Sequence, residues 1–230
     1  MNGEGKTNLL DSIHFLSLCR SYSTSQDSLC ILHNQDLMSI AGLYENEDGT
    51  AEDIHIGIRR GQKKVVRRGK KAYKRLVEHI GLIPLVMVSP ADQFLIAGGS
   101  EERRRFMDII ISQYNPMYME ALLRYNKALL QRNALLKEET PPDAEMFLLW
   151  EEQMAKEAEY IFQCRSEYIK DFTPIFQQFY NHISKEKETV ELRYTSHCQR
   201  GPLLEQLTND RFRDQAVGYS LHGVHKDDYL

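Results

Sequence analysis

Cysteine is sparse: four in 230 residues, at positions 19, 30, 164 and 198. No two of them form a C-x-x-C pair and none has histidines at zinc-ligand spacing, which argues against a zinc ribbon or a disulfide scaffold and favours reduced thiols. The eight histidines form no H-E-x-x-H or comparable grouping, so no protein-only metal site is expected. Long apolar runs are also lacking. The stretch 82–88 falls far short of the roughly 20 residues that a membrane helix requires. Met1 is followed by polar residues rather than by a charged segment and an apolar core, so the chain carries no readable secretory leader. The reading is a soluble, cytoplasmic chain with no membrane partner. Repeats, low-complexity tracts and sustained heptads are absent, which excludes a solenoid and a long coiled coil. The composition that remains is globular, at 42% hydrophobic and 27% charged residues, and long enough for one large domain or two lobes.

The net charge of −4 conceals an asymmetry. Between positions 59 and 75 lie ten basic residues and no acidic one: Arg59, Arg60, Lys63, Lys64, Arg67, Arg68, Lys70, Lys71, Lys74 and Arg75. The rest of the chain then holds 19 basic against 33 acidic residues, a balance of −14. Localised positive charge on an acidic body is a footprint for nucleic acid or another polyanion. A lysine- and arginine-solvated hairpin face accounts for the same pattern equally well.

The opening residues Asn2-Gly3-Glu4-Gly5-Lys6-Thr7-Asn8 carry the strongest local chemistry. A phosphate-binding loop reads G-x-x-x-x-G-K-[ST]; Gly5-Lys6-Thr7 supply its end, and its first glycine would fall one place before Met1. Gly3 and Gly5 permit backbone conformations in which successive N–H groups wrap an anion. Lys6 would meet the β- and γ-phosphates of ATP, and the Thr7 hydroxyl would take one position on Mg²⁺. The candidate nucleotide-binding residues are therefore Met1, Asn2, Gly3, Glu4, Gly5, Lys6, Thr7 and Asn8. Leu9, Leu10, Ile13 and Leu16 follow at helical spacing, so the loop opens into a helix whose N-terminus favours negative charge. The competing reading is a glycine-rich turn before an ordinary helix.

Beyond it, Arg20-Ser21-Tyr22 forms a polar turn in which Arg20 either reaches a phosphate or caps the helix. Alternation at 36–43 and 53–58, with Gly49 and Gly61 between runs, predicts an antiparallel meander. Residues 82–88 read as a buried strand ending at Ser89-Pro90-Ala91-Asp92. From Ser100, a candidate cap, apolar stripes at helical spacing predict a helical lobe. It divides at Thr140-Pro141-Pro142-Asp143 and carries a long second stretch from 144 to about 183, with a kink before Pro174. Residues 190–194 alternate as a strand and 202–212 suggest one more helix. The expected organisation is a nucleotide-binding lobe at 1–99, a helical lobe at 100–188, and a return to the nucleotide-binding lobe at 189–230. The fold class is α/β, with a β-rich lobe and a helical lobe.

The stretch from Asn2 to Ile13 resembles the nucleotide-binding opening of the RecF family and of related chromosome-maintenance ATPases. Further pieces agree in order and spacing. Arg20-Ser21-Tyr22 is similar to the family's arginine-containing turn, Ser89-Pro90-Ala91-Asp92 to its S-P-x-D turn, and Arg103-Arg104-Arg105-Phe106-Met107-Asp108 to R-R-x-F-L-D. Gln131-Arg132-Asn133 is similar to Q-R-N, and Gly223-Val224-His225-Lys226-Asp227-Asp228 to G-P-H-[RK]-x-D. Val224 and Met107 depart from the proline and leucine usual at those places. The resemblance implies a weak DNA-dependent ATPase whose two heads sandwich ATP in a homodimer, and which works with RecO and RecR at gapped DNA to load recombinase. It implies a partial ABC-type P-loop NTPase head, with the first strand, the signature, the Walker B acid and the D-loop outside these residues, so weak or no ATP binding and no measurable hydrolysis are expected of them. No catalytic residue is assignable. Arg59, Arg60, Lys63, Lys64, Arg67, Arg68, Arg103 and Arg104 are the candidate contacts to single-stranded or duplex DNA, and Asp227 and Asp228 are read as structural or indirect. The rival readings are a P-loop ATPase of another class, such as a metabolic kinase or a transporter ATPase, and a non-catalytic DNA-binding module.

Overall fold

Two periodicities build two compact bodies. In the computed structural model, which describes residues 5–138 and 143–230, residues 1–89 form one unit and residues 90–230 the other.

The first unit sets one helix against a sheet. Helix α1 (Lys6–Leu18) buries His14 to Leu18 and leaves its first turn exposed. Strands β1 (Leu37–Glu45), β2 (Ala51–Arg59), β3 (Val65–Arg68) and β4 (Lys71–Ala72) form the expected antiparallel meander, in the order β1-β2-β3-β4. Period-two alternation assigns the faces: Ile54, Ile56 and Ile58 on β2 and Val66 on β3 are buried, with Ile56 opposite Val66. Gly42 lies on the same side, and a Cβ there would stand 2.6 Å from Leu16 Cδ1, so its lack of a side chain lets β1 approach α1. Two bonds from beyond the sheet fix the end of that helix. His79 Nε2 donates to Leu16 O at 2.6 Å and Ser17 Oγ to Ile83 O at 2.6 Å.

Residues 82–88 correct the sequence reading. They form no strand; Val86 and Val88 are 74% and 82% exposed. The run is apolar enough for a buried strand, but the ladder partner a strand needs is missing among the described residues.

The second unit is helical. After α2 (Phe94–Ala97) come α3 (Ser100–Tyr114), α4 (Pro116–Leu135) and α5 (Ala144–Ser184), then β5 (Tyr194–Thr195), α6 (Leu203–Asn209), α7 (Arg211–Val217) and β6 (Asp228–Tyr229). Ser100 opens α3 without capping it; Gly99 stands at the cap. Asn115 does cap α4, its side chain accepting from Tyr118 N at 3.0 Å, with Pro116 in the first turn where a missing N–H costs nothing. Helix α5 runs through Pro174, and Thr173 Oγ1 donates to Ile169 O at 2.6 Å just ahead of it. The suggested single helix at 202–212 is two, meeting at Asp210. Strand pairing at 190–194 is confined to Tyr194 and Thr195, opposite Tyr229 and Asp228, with a further pair of backbone bonds between Arg193 and Leu230.

Residues 189–230 were expected in the nucleotide-binding lobe; they belong instead to the helical unit. The reason is burial. Leu203, Leu207, Val224 and Tyr229 complete one apolar core with Met107, Ile111, Tyr118, Tyr125, Met154 and Ile161. The boundary likewise falls at 89–90 rather than 99–100.

Arg132 ties this unit together at 0% exposure. Its guanidinium donates to Asp214 Oδ2 at 2.6 Å, Ser220 Oγ at 2.7 Å, Leu207 O at 3.0 Å and Glu151 Oε1 at 3.1 Å. Arg211 Nη2 bonds the second Glu151 oxygen at 2.6 Å. Removing one partner of a buried pair strands the other charges in a low dielectric. Arg132→Met is therefore expected to destabilise the chain by about 3–5 kcal/mol, read as a lower urea midpoint; a midpoint equal to wild type would show that the network contributes nothing.

Candidate functional site

The end of the phosphate-binding motif sits where the sequence places it, at the start of α1. Gly5 holds φ 79°, a left-handed conformation suited to glycine, and is the helix cap. The helical ladder begins with Leu9 N donating to Gly5 O at 3.0 Å, so the amides of the first turn ahead of it point out of the helix end. Lys6, Thr7 and Asn8 are exposed, and the first turn contains no acidic side chain to compete for that positive end. Met1, Asn2, Gly3 and Glu4 lie outside the described residues.

The arginine-containing turn is anchored to the same helix. Cys19 ends α1 with φ 55°. Asp11 then receives Ser21 Oγ on one carboxylate oxygen and Tyr22 N on the other, both at 2.6 Å. The Tyr22 hydroxyl shares a hydrogen bond of 2.5 Å with Ser89 Oγ. The first serine of the S-P-x-D turn is thereby fixed to the turn after the first helix, 67 residues away. Burial pushes the Cys19 thiol up to about 11, as expected of an unreactive thiol; all four cysteines are free.

The basic stretch divides by partner. Lys64 Nζ is engaged by Cys19 O at 2.6 Å and by Asp27 at 2.8 Å. Arg68 is held bidentately by Glu52. Arg60 Nε donates to Gln35 O at 3.0 Å. Arg59, Lys63 and Arg67 are exposed. Lys64 and Arg68 thus each have a carboxylate partner within the unit, Arg68 at the surface.

In the second unit, the motif residues form an internal network. Arg103, 8% exposed, makes a bidentate pair with Asp228 at 2.7 and 2.9 Å and also donates to Leu95 O and Gly98 O. Its expected availability to DNA is not met, because its donors are spent inside the unit. Arg104, half-buried, donates from Nη1 to Asp227 O at 2.6 Å. Asp227 Oδ2 pairs at 2.7 Å with Arg165, a buried residue on α5 that also bonds Tyr118 OH, Val224 O and Asp108 Oδ1. Asp227 and Asp228 are thus structural, as read. Burial raises the Asp227 carboxyl above the usual range despite Arg165, whereas the Arg103 pair helps hold Asp228 below it. In Gln131-Arg132-Asn133, Gln131 is exposed, Arg132 is the buried hub, and Asn133 Oδ1 accepts from Ser220 N and Oγ, both at 2.8 Å. Sequence reasoning missed Arg165: nothing but a lone arginine among apolar α5 positions marks it.

The closing loop explains its own glycine. Gly223 has φ 135°, and a Cβ there would overlap the Tyr125 hydroxyl. That hydroxyl instead donates to His225 Nδ1 at 2.7 Å, while His225 Nε2 donates to Ser220 O at 3.1 Å. Gly223 N donates to His197 Nδ1 at 3.1 Å. Both imidazoles use Nδ1 as an acceptor, which only the neutral ring offers. Burial, with Arg200 and His222 near His197 and Lys226 near both, depresses each to about 4. Among the described residues no cluster of histidine, cysteine or carboxylate side chains has the makings of a metal site, and no helix is long and apolar enough to cross a membrane.

A sign follows for acid stability. The unfolded chain protonates these histidines near 6.5 and the folded one only near 4. The unfolded state therefore binds more protons in that interval; the histidines' stabilisation is complete above about pH 6.5 and is lost as pH falls toward 4. Asp227, with its raised carboxyl, acts in the opposite sense. The measurement is the difference between wild type and His225→Gln in urea midpoint across pH 7 to 4. The expected result is a shallower fall in the variant; parallel curves would refute it.

Comparison with known proteins follows the same lines. No protein-family model matches the chain. It is 57% identical over 227 residues to the DNA replication and repair protein RecF of Bacteroides fragilis, covering 99% of this chain and 61% of that protein. Against RecF of Bacteroides thetaiotaomicron and of Parabacteroides distasonis the identities are 56% and 48%, each covering 99% of this chain and 62% of the relative. The fold matches a solved structure of the recombination mediator protein RecF-ATPrS in the RecFOR pathway with a TM-score of 0.92 at 28% identity, covering 100% of this chain and 64% of that one. A RecF-ATP structure matches equally well. The chain spans about three-fifths of the length of these curated relatives. Along 99% of its own length the chain is similar in sequence to RecF proteins, and its fold is similar to solved RecF structures.

Proposed function

We propose that this chain is the nucleotide-binding and helical portion of an ATP-dependent, DNA-binding protein of replication and recombinational repair. The observation that carries the reading is the left-handed Gly5 at the head of α1, followed at once by exposed Lys6 and Thr7, in a chain whose fold matches RecF structures with ATP. The donor set fits a phosphate chain: outward amides, a lysine, a hydroxyl and no first-turn carboxylate. Lys6 would neutralise the β- and γ-phosphates, and Thr7 would offer its hydroxyl to Mg²⁺. Bound Mg-ATP would supply charge to be neutralised and a bridge between heads. Asp11 positions the following turn by holding Ser21 and Tyr22.

In this reading ATP favours a head-to-head homodimer and its hydrolysis reverses it. The protein then acts as a switched clamp on gapped DNA, together with RecO and RecR, to help load recombinase in the cytoplasm. The switch needs only that ATP bind the dimer better than the monomer, since a ligand shifts an equilibrium by its differential affinity.

Lys6→Ala is expected to weaken binding of a fluorescent ATP analogue with Mg²⁺ by tenfold or more, about 1.4 kcal/mol, with Thr7→Ala selectively losing the Mg²⁺ dependence. Titration by anisotropy checks both; wild-type affinity in the two variants would remove the nucleotide site.

A further inference from the structure

The ten basic residues of 59–75 are not equivalent, and the sheet register sorts them. Side chains of alternate residues point to opposite faces. One face of β1–β3, bearing Ile54, Ile56, Ile58 and Val66, is buried. Arg68 lies on that side, opposite Ile54, where Glu52 holds it. The other face carries His55 opposite Arg67, Gly57 opposite Val65, and Arg59 opposite Leu37. Its positions on β1 are small or apolar, Ser39, Ala41 and Leu43, and are exposed together with Arg59, Arg67 and Val65. Arg59 stands four residues along β2 from the partner of Arg67, about 14 Å at the rise of an antiparallel strand.

The same sheet is polarised along its length. The β1–β2 turn carries Glu45, Glu47 and Asp48, whereas the β2–β3 turn carries Arg60, Lys63 and Lys64. On the outer face the sole carboxylate of β2, Asp53, is paired with His55 at 2.9 Å. At physiological salt charges interact over about 8 Å, well short of the length of β2, so the two ends act independently.

From this arrangement we infer that the outer face of the meander, at its β2–β3 end, is a nucleic-acid phosphate-backbone surface read by Arg59, Arg67 and Lys63, and that Lys64 and Arg68 take no part in it. This assignment rests on the DNA-binding reading above and adds to it the face, the residues and the excluded neighbours. Between the two arginines the face carries Ser39, Ala41 and Gly57, so no bulky side chain stands between their guanidiniums. Contacts from arginine and lysine to phosphates are sequence-independent and governed by counterion release.

The test is duplex binding by the 230-residue protein across a salt series, with a fluorescent duplex and its scrambled-sequence counterpart. Arg59→Ala/Arg67→Ala is expected to lower the slope of log affinity against log salt by about 1.8, two phosphates at about 0.9 each, equally for both duplexes. Arg68→Ala is expected to keep the wild-type slope. Arg67→Glu/Glu47→Lys has the wild-type net charge and is expected to stay weak. A wild-type slope in the double alanine variant, or affinity restored in the charge-balanced one, overturns the assignment while leaving DNA binding intact. A wild-type protein that binds neither duplex overturns the DNA-binding reading and the assignment with it. Arg67→Gln, which keeps a long polar side chain without the charge, is expected to lose half of that decrement.

Discussion

The helical unit depends on two arginines that never reach water. Arg132 and Arg165, on α4 and α5, each gather partners from segments far apart in sequence. Arg132 reaches Glu151, Leu207, Asp214 and Ser220, and Arg165 reaches Asp108, Tyr118, Val224 and Asp227. An apolar core of the same volume would tolerate sliding between helices, because dispersion and burial are non-directional. A guanidinium with donors in a fixed fork does not. Its satisfaction at these angles requires that α4, α5 and the last thirty residues or so stand in one arrangement, at the cost of desolvating several charges.

This constraint explains which sequence readings held. The helix start at Gly5, the meander and the long helix through Pro174 were legible because each is written locally, in a glycine, alternation and apolar spacing. The placement of 189–230 was not. It turns on Val224, Leu207 and Tyr229 filling a core whose other wall lies a hundred residues earlier, and no local periodicity encodes that. The misreading of 82–88 has the complementary cause: an apolar run marks a segment as fit for burial, but a strand also needs a neighbour. Charged motif residues were the hardest. Arg103 and Arg59 look alike in sequence, yet one is spent on a carboxylate and two carbonyls while the other stands on an open face. Only the register of a sheet or the depth of a core distinguishes them.

The two units also differ in where their chemistry lies. In the first, the motif residues Gly5, Lys6 and Thr7 are at a helix end with their polar groups outward. In the second, Arg103, Arg104, Arg132, Asn133, Asp227 and Asp228 all bond partners within the unit. The R-R-x-F-M-D and G-V-H-K-D-D stretches are two sides of one internal contact, joined through Arg103 to Asp228 and Arg104 to Asp227.

That inward-facing closing loop bears on how inactivating substitutions in this chain should be interpreted. Gly223 is fitted to Tyr125, His225 bridges two segments, and Asp227 holds a buried guanidinium. Lys6, by contrast, lies exposed at a helix end. Abundance of the variant protein in the cell separates the two kinds of position, since a lost keystone lowers the amount of protein whereas replacing an exposed lysine leaves it unchanged.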